Sequence, residues 1–149
     1  MRFIHQNRHS CACAVRAVVN AKIWQCHPHY SQHTRIGMYE KLMDIWRIRE
    51  GDAPNIGCIW RVCQVAEWPR VYQPTFRKVK SIINAGNAAI VTARAVQGDY
   101  VGQGHAMFLH GIGKGRVYGT GLYSDQSWDR FATFRKRWRL TGVFRVSRC

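Results

Sequence analysis

Acidic side chains are what this chain has least of. Eight Asp and Glu stand against 23 Lys and Arg in 149 residues, a formal net charge of +15. Such an excess excludes recruitment of cationic partners by charge, and it adds self-repulsion to the compact state. Long apolar runs are also missing. None reaches the roughly eighteen residues that a membrane helix needs, so no membrane span is expected. The start, Met1-Arg2-Phe3-Ile4-His5-Gln6, has no apolar region followed by a small-residue cleavage site. The expectation is therefore no secretory signal and a cytoplasmic location, or a virion for a phage-encoded chain. There are four prolines, no low-complexity linker and no internal repeat, which points to one domain over residues 1–149. The six cysteines include no Cys-x-x-Cys pair. Cys26, His27, His29, His33, Cys58 and Cys63 can be assembled into a zinc set only on paper, so no metal and no cofactor is assigned. Without a signal the thiols are expected to be mostly reduced.

What is present in excess is arginine, 17 residues against six lysines. Its planar fork suits phosphate, so a polyanion is the natural partner for this surface. The segment from Arg130 to Leu140 interleaves cations with aromatics. The spacing of Phe131, Phe134 and Trp138 is helical, which predicts that the rings are core and the cations are surface. The expectation is nucleic acid as a partner through Arg130, Arg135, Lys136, Arg137 and Arg139, by phosphate attraction and not base stacking, the alternative being a solvated basic surface with no specific partner.

Along the chain, Ser10 can cap a helix from Cys11 to about Ile23, with Ala14, Val15, Val18, Val19 and Ala21 recurring at helical spacing. A second helix is expected over Gly37–Arg49 and a third over Ile56–Ala66. Val71–Pro74 reads as a short extended piece and Phe76–Asn84 as a helix. The character then changes. Ala88–Ala93, His105–Ile112, Arg116–Gly119 and Gly142–Val146 read as strands, with a tight turn at Gly113-Lys114-Gly115 and a short helix or turn over Trp128–Trp138. Helices first and antiparallel strands second predict an α+β fold, with the N-terminal helices packed on a C-terminal sheet.

One stretch carries a chemical logic. Gln6 precedes a polar spacer, and Cys11 stands at the mouth of a small-residue helix. A thiol there feels the positive end of the macrodipole, which favours thiolate. The first N–H groups of a helix lack internal partners and could hold a developing oxyanion together with a nearby carboxamide. A base is available much later, at His105, which opens a strand after the glycine-rich segment Gln97–Gly104. His110 is five residues on, an odd offset that turns it to the opposite face of a regular strand. Cys13 is about 200° round the helix from Cys11 and reads as a small core residue.

Taken in order, four pieces resemble the papain-superfamily cysteine peptidases, and more narrowly the bacteriocin-leader-processing (double-glycine) peptidase-like domains. They are Gln6 through Cys11-Ala12-Cys13-Ala14, the helix-turn-strand Val79–Val91, the strand Gly104-His105-Ala106-Met107-Phe108-Leu109-His110-Gly111-Ile112, and the ending Trp128…Phe131…Trp138. The resemblance implies a papain-like fold and a thiol-dependent hydrolase acting on a peptide or protein. Cys11 would be the nucleophile, His105 the base, and Gln6 with the Cys11 backbone N–H the oxyanion hole. Three departures accompany it. The Gln6–Cys11 gap is one residue short, and Ala12 stands where relatives carry Gly. Thr120 and Gly121 occupy the place of the orienting Asp or Asn. Asp125, slightly later, is the nearest carboxylate candidate, and without an orienting group activity falls steeply. A catalytically degenerate, basic structural or packaging protein associated with nucleic acid, part of a phage virion or a larger assembly, is the alternative left open.

Overall fold

The run Ala88-Ala89-Ile90-Val91-Thr92-Ala93-Arg94-Ala95 is buried at every position except Arg94. A strand apolar on both faces must be covered on both, and that requirement organises the molecule. The computed structural model describes residues 13–26, 37, 40, 41, 44, 71, 72, 74–98, 101, 102, 104–122 and 127–148. The described elements run α1 (Cys13–Cys26), β1 (Val71–Tyr72), α2 (Phe76–Asn84), β2 (Ala88–Ala95), β3 (Gly104–Gly113), β4 (Arg116–Thr120), β5 (Trp128–Arg130), α3 (Phe131–Arg137) and β6 (Trp138–Val146). Gly37, Glu40, Lys41 and Asp44 are also helical. The Ser10 cap and the helix expected over Ile56–Ala66 lie outside the described residues.

The strands form one antiparallel sheet in the order β1-β6-β2-β3-β4-β5. The fold is α+β, with helices packed on the sheet. On one face, α1 packs its small and β-branched residues against Ala88, Ile90, Ala106, Phe108, Phe144 and Val146. On the other, Val79, Ile82 and Ile83 of α2 and Phe134 of α3 join Val91, Met107, Leu109, Trp138 and Val143. Odd and even positions of β2 and β3 thus separate into two cores, as pleat alternation requires.

Local chemistry sets the boundaries. Thr75 caps α2 through its hydroxyl, which accepts from the Lys78 N–H at 3.1 Å. Lys114 (φ 52°) and Gly115 (φ 73°) both take positive φ in the two-residue turn that joins β3 and β4, the backbone such hairpins favour. The pairing of β3 with β4 skips His110, an extra residue between Leu109↔Gly119 and Gly111↔Tyr118.

Two expectations change. Trp128–Arg130 is a strand, paired with Arg116–Tyr118, and so falls outside a helix that begins only at Phe131. Trp138 leaves that helix and starts β6, four residues before the expected strand, because it pairs with Ala95 of β2. The aromatics are core as expected, with Phe134 and Trp138 buried and Phe131 packed against them. Trp138 reaches that core from a strand.

Candidate active site

His105 is the second residue of β3, paired with Ala93 on β2. It is 8 % exposed. Its ring stacks on Trp138, with centroids 5.4 Å apart and planes 21° from parallel. Its Nε2 lies 2.6 Å from the Gly121 carbonyl oxygen. A carbonyl can only accept, so Nε2 carries the proton, and the neutral ring is left with Nδ1 as its basic nitrogen. Gly121 is held at φ 79°, in the left-handed region where glycine has no steric penalty. At that position, where an orienting carboxylate was sought, a backbone carbonyl orients the imidazole.

The carbonyl is itself anchored. Asn20, fully buried on α1, donates from Nδ2 to the Thr120 hydroxyl at 3.1 Å. Thr120 is the last residue of β4, opposite Phe108. Immediately after Gly121, Leu122 is buried in the α2/α3-side core. The turn after β4 is therefore held from both faces of the sheet. The indole N–H of Trp138, beside His105, is buried with no hydrogen-bond acceptor among the described residues.

Further contacts anchor α1 to the sheet. Arg148, just past β6, donates to the Trp24 carbonyl, and its guanidinium lies 3.8 Å from the Trp24 ring centre. Trp24 also meets Phe108 edge-on at 6.5 Å. The C-terminal end of α1 thus sits by the exit of β6, and Asn20 sits further along, at Thr120. His105 itself shares a face with Met107, Leu109 and Trp138, opposite the face α1 covers.

Cys11, Gln6 and Asp125 lie outside the described residues. Cys13 is half-buried against the α1-side core. His110 stacks on Phe108 at 5.8 Å, on that residue's face of β3, and burial pushes its pKa below 6.5. No group of three or more His, Cys, Asp or Glu that could hold a metal ion occurs among the described residues. No helix among them is long and apolar enough to cross a membrane.

Sequence reasoning placed Gly121 at the orienting position only as a residue without a carboxylate, and it missed Asn20. The signal for Gly121 was a glycine after a strand, but its contribution is a main-chain atom that any residue carries. Asn20 had a visible signal, a carboxamide inside an otherwise apolar helix face, where burial obliges a partner. No family model, curated protein or solved structure matches this chain.

Proposed function

We propose that this chain is a thiol-dependent hydrolase of papain-like architecture, with Cys11 as nucleophile and His105 as base. The observation that supports this reading is the state of His105, buried and stacked on Trp138, its Nε2 donating to the Gly121 carbonyl, which makes Nδ1 the basic nitrogen of the neutral ring. In the proposed reaction Nδ1 takes the Cys11 thiol proton, and the thiolate attacks a peptide carbonyl. The same nitrogen then returns the proton to the leaving amine. Gln6 and the Cys11 N–H stabilise the oxyanion. The orienting role sought for Asp125 falls to the Gly121 carbonyl.

A second reading rests on that same atom. A carbonyl fixes the tautomer but brings no charge to stabilise the imidazolium formed during acylation, a task a carboxylate performs. A papain-like domain with a reactive thiol and little turnover, serving a structural role, fits this as well.

Iodoacetamide labelling read by mass spectrometry tests the hydrolase reading. At neutral pH Cys11 should label at least about tenfold faster than in the urea-unfolded chain, as expected for a depressed thiol pKa. His105→Ala should remove that advantage. Equal rates in both states, or no effect of His105→Ala, would sink the dyad. Fast labelling without cleavage of any peptide library would select the second reading.

A further inference from the structure

Residues 74–148 hold 13 Lys and Arg and three acids, so most of the chain's net charge lies in this half. The fold gathers part of that charge onto one surface. Helices α2 and α3 cover the same side of the sheet, and neither contains an acidic residue. They meet through aromatic rings. Phe76 of α2 packs edge-on against Phe131 (6.4 Å) and Phe134 (5.7 Å) of α3. Lys80, one turn after Phe76, sets its ammonium 5.9 Å from the Phe131 ring centre. Arg135, one turn after Phe131, sets its guanidinium 5.9 Å from the centres of both Phe76 and Phe131. The two exposed cations, from different helices, therefore stand over one shared ring, within twice that distance of each other. Among the described residues no carboxylate pairs with either. The single described ion pair engages Arg137, whose guanidinium is 3.7 Å from Asp129.

We propose that this α2–α3 surface is a nucleic-acid phosphate-binding face, with Lys80 and Arg135 at its centre and Lys136 beside them. The contact to the ring holds each cation within reach of the other, so less side-chain freedom is lost when a phosphate binds. Two adjacent cations suit the closely spaced phosphates of a strand. A lipid surface would be met by exposed aromatic or leucine side chains. The large apolar residues exposed among the described ones are Val96 and Val101, in the β2–β3 connection and not on these helices. This face also differs from the stretch read from sequence alone. Arg139 alternates with Trp138 and Leu140, which are core on the α2–α3 side, so it leaves the sheet on the other face. Lys80 enters the set from a distant helix.

The test is fluorescence anisotropy of a short labelled DNA duplex of arbitrary sequence, titrated with the full chain between about 50 and 200 mM salt. The Lys80→Gln/Arg135→Gln double variant should bind about tenfold more weakly, with its log–log salt slope reduced by about two. Lys22→Gln, on α1 across the sheet, should change affinity less than about twofold. A double variant that binds like the parent, or a Lys22→Gln variant that loses as much, overturns the assignment of the face. A parent chain that ignores the duplex and sediments with phosphatidylserine vesicles overturns the choice of nucleic acid. None of these outcomes depends on Cys11, so the thiol reading stands or falls separately.

Discussion

His105 and His110 show how two residues of one type, five positions apart on one strand, come to different uses. His105 is locked by Gly121 and Trp138 at the strand's opening. His110 is the bulged residue of β3, stacked on Phe108, and burial disfavours its charged form. The consequence for stability has a definite sign. With the folded-state pKa below the unfolded value of 6.5, the unfolded chain binds more protons across the interval between them. Stability is then complete above about pH 6.5 and falls as pH drops through that interval. Urea midpoints measured from pH 7.5 down to pH 5 should decline in the parent, and His110→Gln should flatten that decline. Of this pair, sequence spacing showed the opposite faces. The bulge depends on β4, and the stacking of His105 depends on Trp138 of β6, both brought alongside by pairing alone.

At the level of elements, β2 and α2 were legible because each carries its own signal. A β-branched and alanine run after a glycine turn makes the strand, and Thr75 with Val79, Ile82 and Ile83 makes the capped helix. Strand β5 was not legible. Its three residues, Trp128-Asp129-Arg130, have no alternation to speak of and are extended because β4 offers them a ladder. The β3–β4 pairing also dictates a glycine that no local pattern demands. A Cβ on Gly119 would stand 2.3 Å from the Phe108 carbonyl oxygen and 2.8 Å from Leu109 Cδ2. The first of these is backbone inside a ladder and cannot swing away. Gly119→Ala should therefore cost at least about 1–3 kcal/mol, as overpacking does, read as a lower urea midpoint with an unchanged m-value.

On the scale of the whole molecule, the Asn20–Thr120 bond joins the α1 layer to the turn that carries Gly121. Thr120→Val removes the acceptor of a hydrogen bond from a fully buried amide and should cost about 1–3 kcal/mol in chemical denaturation. If that turn holds the imidazole for catalysis, the same variant should slow Cys11 labelling while leaving duplex binding intact. The His105 site and the Lys80–Arg135 face share no residue.

The amino-acid order by itself determined the charge, the α+β succession, the helix behind Cys11, the strand opened by His105 and the core role of the aromatic ending. Those properties live in composition and in periodicities of two and 3.6, which are local. Tertiary structure alone decided what orients His105 and where the cations converge. The Gly121 carbonyl is a main-chain atom aimed by a positive φ, and the Lys80–Arg135 pair meets over a ring that belongs to a third residue. Both depend on segments brought together by the sheet, and no spacing along the chain encodes them.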